Sequence, residues 1–118
     1  MNQGITLYGI TNCDTVRRAR AWLTEQQVAV HFHDFNKRGV PEERLDHWLT
    51  TVGWEKLVNR QGSTWRKLQP QAQAVVRESC RARSLMLSQP SVIKRPVVEW
   101  DAQHVTVGFD AADWATRI

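Results

Sequence analysis

The stretch LYGITNCDTVRRARAWL, residues 7–23, runs from an apolar, strand-forming segment through one cysteine into an Arg-rich segment with helical spacing. ITLYG (5–9) is short, rich in β formers and closed by Gly9, which predicts a buried strand close to the start of the chain. Asn12, Asp14 and Thr15 supply N-cap chemistry, while Val16, Ala19 and Leu23 recur at helical spacing with Trp22 on the flank of the stripe. A helix over about 14–27 follows. Cys13 therefore closes the loop between strand and helix.

Beyond this unit, VAVHFHDF (28–35) alternates, with Val28, Val30, Phe32 and Asp34 on one face and His31, His33 and Phe35 on the other, which predicts a second strand. A turn over Asn36–Gly39 leads to Pro41 at a first helical position. Leu45, Trp48, Leu49 and Val52 then follow at i, i+3, i+4 and i+7, and Gly53 stops that helix. From 54 to 95 the pattern is helical but broken, punctuated by Pro70 and Pro90, with no strand in it. RPVVEW and HVTVGF, separated by DAQ, form a hairpin pattern with Asp101 as turn former, and Asp110 caps a closing helix.

The order is thus β-α-β, a run of helices, then β-β-α. A helix joining two neighbouring strands makes them parallel through a crossover, whereas the short DAQ link makes the last two antiparallel. An α/β, thioredoxin-like fold with a helical insertion between the second and third strands satisfies both constraints. At 118 residues and 42% apolar content, a single domain over 1–118 is expected, with the insertion at about 41–90.

Composition narrows the function. No run approaches the roughly 18 apolar residues of a membrane span, and MNQGITLYG lacks a basic segment followed by an apolar one, so a cytoplasmic protein without membrane association is expected. Two cysteines, Cys13 and Cys80, are too few for a disulfide-stapled scaffold. Residues 1–58 carry seven basic and seven acidic side chains, but residues 59–95 carry eight basic and one acidic, Glu78. That middle lacks the aromatic interleaving of a single-strand binder and any helix-turn-helix or finger signature, which argues against DNA. Arginines gathered around a small anion fit it better, because guanidinium forks match carboxylate and oxyanion geometry.

Cys13 has two readings, a small residue closing a turn or a nucleophile. Unpaired amides and the helix dipole favour an anion at its position, and nearby arginines add to the effect. TNC opening a helix after a buried strand favours the nucleophile. His31 and His33 share a strand face at a spacing open to a metal, yet no third ligand accompanies them, and polar surface without metal is expected. Cys80 could resolve a Cys13 adduct, but on a helix sixty-seven positions further on it is read first as a buried small residue. Trp22 and Trp48, on apolar helix stripes, are read as core.

LYGITNCDTVRRARAWL, NRQGSTWRKL (59–68), PSVIKRPVVEW (90–100) and VTVGFDAADW (105–114) together resemble the arsenate reductase/Spx (ArsC-like) family of thioredoxin-like proteins, in its YffB-type branch of proposed glutathione-dependent thiol reductases. The resemblance implies that Cys13 is the catalytic nucleophile, that Arg60 is the mid-chain arginine lining the site, and that Arg95 precedes a cis-proline, Pro96. Asn12 joins these in the substrate-binding or anion-binding set, with Thr11 and Lys94 in minor roles.

A cis Arg95–Pro96 bond is feasible on energetic grounds and would turn the Arg95 backbone toward the thiol, where an extended peptide such as glutathione could pair with it. Arg60, Lys94 or the Arg95 side chain would meet its carboxylates. Glutathione, or another small thiol or disulfide, is then a co-substrate, with no tightly bound cofactor.

Two alternatives accompany this reading. An Spx-like regulator would bind RNA polymerase through the helix before Gly53 and the Gly53 region. However, Spx-type regulators carry C-x-x-C, and Cys13 is followed three residues later by Val16, so a local two-cysteine switch is excluded. The family's arsenate reductases use a further arginine after the hairpin, and no basic residue lies between 96 and 116 here.

Overall fold

The computed structural model describes residues 4–118; residues 1–3, at the head of the stretch read above for a leader, lie outside the described residues. In chain order the elements are β1 (Ile5–Gly9), α1 (Asp14–Glu25), β2 (Val30–Asp34), α2 (Phe35–Arg38), α3 (Glu42–Thr51), α4 (Trp54–Leu57), α5 (Ser63–Arg66), α6 (Pro70–Ala74), α7 (Ser79–Ser88), a 3₁₀ turn at Pro90–Val92, β3 (Val97–Glu99), β4 (Val105–Val107) and α8 (Ala111–Ala115). The strands form one sheet of order β2-β1-β3-β4, with β1 and β2 parallel and the β1–β3 and β3–β4 pairs antiparallel. This is the α/β, thioredoxin-like arrangement with a helical insertion between β2 and β3.

The chain divides into two compact units, one of the described residues up to Arg38 with Arg95–Ile118, the other of Gly39–Lys94. The first holds the sheet, α1 and α8. Ile5, Leu7 and Val98 project from one sheet face onto Val16, Ala19 and Leu23 of α1 and onto Trp114 of α8. Trp114 is the hub of an aromatic cluster, its ring 5.0 Å from Trp100, 4.8 Å from Phe109 and 6.0 Å from Trp22. Each fully buried leucine or valine contributes roughly 1.5–3 kcal/mol, so this stripe is what clamps α1 against β1.

Gly9 sets how closely they approach. A Cβ there would stand 2.8 Å from Cγ2 of the fully buried Val16, so only glycine lets the end of β1 pass under the first turn of α1.

Local chemistry shifts several predicted boundaries. α1 ends at Glu25 rather than about 27: Val28 N–H donates to the Leu23 carbonyl and Gln27 N–H to the Thr24 carbonyl, with Gln27 at φ +60, a Schellman-type stop without its usual glycine. Phe35 opens α2 instead of ending β2, because the buried Asp34 carboxylate accepts the Asn36 N–H at 2.9 Å and turns the chain. Pro41 is the extended N-cap of α3, not its first helical residue. His33 is half-buried, its ring 5.0 Å from Tyr8 and 5.9 Å from Phe35, so only His31 of the pair is exposed strand surface.

In the second unit, Leu45 and Trp48 of α3, Leu57 of α4, Ala82 and Met86 of α7, and Val92 and Ile93 are buried. Arg83 ties α7 to α3 through Asp46 at 2.6 Å and Glu42 at 3.0 Å. A two-sided contact appears where no strand is expected: Val58 bridges Ile93, Asn59 N–H donates to the Val92 carbonyl, and Lys94 N–H donates to the Leu57 carbonyl. Residues 57–59 are thereby fastened alongside residues 92–94 within this unit.

Candidate active site

Cys13 is itself the N-cap of α1, in extended backbone at φ −122 and ψ 122, and its carbonyl accepts the Arg17 N–H at 2.9 Å. The capping expected of Asn12, Asp14 and Thr15 is therefore not theirs. Helix formation starts one residue after the cysteine, so the sulfur takes the position that a serine or aspartate oxygen usually fills. The thiol is half-buried against the apolar cluster below α1.

Opposing influences act on its acidity. Burial is the largest single one and pushes the thiol up; against it stand the Val16 amide, the Arg95 side chain through both a hydrogen bond and its charge, and the Thr15 amide. The latter group wins, and Cys13 lies below the usual cysteine value. Amides at the second and third helical positions and one guanidinium thus stabilise the sulfur as an anion.

Arg95 reaches the thiol from the segment entering β3. The Arg95–Pro96 bond is cis, and the buried Pro96 accepts the Gly108 N–H on its carbonyl at 2.8 Å, pinning that segment to the end of β4. Thr11 and Asn12 form the exposed turn before Cys13. Cys13, Arg95, Pro96, Thr11 and Asn12 fall in one unit, and Arg60 and Lys94 fall in the other. Arg60 is exposed and its guanidinium carbon lies 5.2 Å over the Trp54 ring; Lys94 is exposed as well. A half-buried thiolate beside a guanidinium, next to a polar turn, is equipped for attack on a disulfide sulfur.

Cys80 is exposed, contrary to the buried position expected of it. The inward face of α7 is carried by Ala82 and Met86, and residue 80 is turned about 160° around the helix from the first and about 120° from the second. The residues missed in the sequence are those whose backbone acts on the sulfur, Thr15 and Val16, together with Arg17, which bonds both Thr11 and Asp14. The Asp-to-Arg spacing of i, i+3 directly after the cysteine was the available signal. Among the described residues no group of three or more His, Cys, Asp and Glu is placed to hold a metal, and no helix is long and apolar enough to cross a membrane.

The profile of the ArsC family matches residues 8–116. A solved structure of a protein named YFFB is 42% identical, covers 96% of this chain and 97% of its own, and superposes with a TM-score of 0.90. The solution structure of an arsenate reductase (ArsC) related protein from Brucella melitensis is 45% identical over 98% of this chain and 95% of its own, with a TM-score of 0.78. The global transcriptional regulator Spx of Streptococcus agalactiae is 28% identical over 108 residues, 90% of this chain and 77% of Spx.

Proposed function

The chain belongs to the ArsC family, and from that premise we propose that it is a glutathione-dependent thiol–disulfide oxidoreductase of the cytoplasm with Cys13 as its single nucleophile. The observation that carries the reading is the Arg95 side chain hydrogen-bonded to a helix-capping thiol of lowered pKa.

The Cys13 thiolate attacks the glutathionyl sulfur of a mixed disulfide. The S–S bond breaks, the substrate sulfur leaves with the electron pair and takes a proton from solvent, and Cys13 carries the glutathionyl group. A second glutathione, as thiolate, attacks that sulfur; Cys13 leaves as thiolate and glutathione disulfide departs. Net, the substrate sulfur is reduced to a thiol, the incoming glutathione thiol is oxidised, and the two glutathionyl groups leave as one disulfide. Arg95 stabilises Cys13 as both attacking and leaving group. The Thr11–Asn12 turn and Pro96 border the peptide.

Turnover of a small glutathionyl mixed disulfide, followed by the appearance of glutathione disulfide, tests this. Activity lost in Cys13→Ser and kept in Cys80→Ser is expected. A rate no higher than the uncatalysed exchange would overturn it. The absence of Lys or Arg between Pro96 and Thr116 weighs against arsenate as substrate.

A second reading, a regulator that binds RNA polymerase, is favoured by the relative named as the regulator Spx, which aligns with 90% of this chain. Pull-down of polymerase subunits, weakened by exchange of residues on α3, tests it. Gly53 is a poor probe there, because its φ of +97 already demands glycine.

A further inference from the structure

Arg17 lies one helical turn beyond Cys13 and folds back over the cap. One terminal nitrogen donates to the Thr11 carbonyl at 3.3 Å, and the other donates to the Asp14 carboxylate at 2.5 Å. These partners flank Cys13 in the chain, one before it and one after. A planar fork with several fixed donors serves both at once.

Asp14 poses a conflict. A carboxylate in the first turn of a helix complements the dipole, but directly after a nucleophilic cysteine it repels the thiolate. Arg95, on the segment entering β3, is the charged side chain that acts on the sulfur directly; Asp14, the next residue in the chain, is ion-paired with Arg17 on α1. The Arg17–Asp14 pair is open to solvent, at 58% and 85% side-chain exposure, so it adds little to folding.

We propose that Arg17 is a positioning residue for the Cys13 thiolate, tying the Thr11 turn to the first turn of α1 and covering the Asp14 charge beside the anion. This rests on the reading of Cys13 as nucleophile, but the thiol reports it without glutathione. With Arg17 in place, Asp14 keeps its favourable position on the helix while its field at the sulfur is largely cancelled.

The test is the rate of iodoacetamide alkylation against pH, in a Cys80→Ser background so that one thiol reports. Arg17→Ala is expected to move the inflection upward by roughly half a pH unit, the scale of one unshielded neighbouring charge at a solvated site. Adding Asp14→Asn is expected to reverse the shift, and Arg17→Lys to restore it in part. An unmoved inflection in Arg17→Ala, or a shift that Asp14→Asn does not diminish, would overturn the proposal. Should the alanine variant fail to fold by circular dichroism, Arg17→Gln, which keeps a donor but no charge, takes its place with the same outcomes. Lost glutathione turnover with this acidity pattern intact would sink the oxidoreductase reading and leave the role of Arg17 standing.

Discussion

The Arg95 guanidinium donates a hydrogen bond to the sulfur of Cys13, joining the segment that enters β3 to the N-terminus of α1. Their sequence separation hides this contact from any local pattern, and the central pairing of β1 with β3 makes it. Leu7 opposite Val98 and Tyr8 opposite Val97 bring the chain just before β3 to the end of β1, where the cysteine loop begins.

This relationship predicts a pH-dependent stability. A cysteine whose pKa is lowered by folding adds stability that is fully present above the unfolded value of about 8.5 and is lost as pH falls through the folded value. Wild type should therefore gain stability over Cys13→Ser as pH rises from neutral toward about 9, the side on which the unfolded thiol still holds its proton. Arg95→Ala should shrink that gain. Urea midpoints across the range check it, and parallel pH curves for wild type and Arg95→Ala would contradict it.

Gly9→Ala tests the steric link between strand and cap. The added methyl meets buried Val16, whose amide is one of those stabilising the Cys13 anion. A loss of about 1–3 kcal/mol in stability is expected from the overpacking. An upward move of the Cys13 alkylation inflection should accompany it. Thermal melts and the alkylation profile measure the two effects, and a neutral result in both would show that the approach of β1 to α1 is not tight.

The Cys13 loop, the order of elements, the Asp101 turn and the Asp110 cap were legible because each rests on local chemistry. Asp101 accepts from Gln103 and His104 amides, and Asp110 from Asp113, as their side chains allow. The cap at Cys13 was not legible, because Asn12, Asp14 and Thr15 all compete on propensity and the close packing of Val16 against Gly9 joins residues of different elements. The exposure of Cys80 was hidden by the weak stripe of α7, where Ala82 and Met86 stand among arginines and serines. The bridge between Val58 and Ile93 joins segments that carry no strand pattern of their own.

The two thiols should separate by partner rather than by access. With oxidised glutathione at about pH 6.5, peptide mapping should find the adduct on Cys13 first, since a thiolate is the attacking species. Arg95→Ala should slow that reaction and leave the slower Cys80 reaction unchanged. Equal slowing at both sites would mean that Arg95 acts on the fold and not on one sulfur.

The anion-binding role proposed for the arginines is tested by calorimetry with glutathione in a Cys13→Ser background. Arg95→Ala should weaken binding by roughly 1.5–3 kcal/mol, the range for hydrogen bonds to charged groups. Exposed Arg60 should contribute about 1 kcal/mol or less when replaced by Ala. Lysine at either position should restore only part, lacking the fork. Unchanged affinity in all variants would leave the basic middle of the chain as a solvated face.

The most direct test of the central claim is the intact mass of the folded Cys80→Ser protein after exposure to glutathione disulfide, before and after reduced glutathione is added. The account predicts one glutathionyl group per chain, carried by Cys13, formed faster than on a free thiol peptide at neutral pH and removed by reduced glutathione. A chain that stays unmodified, or reacts no faster than the peptide, would contradict it.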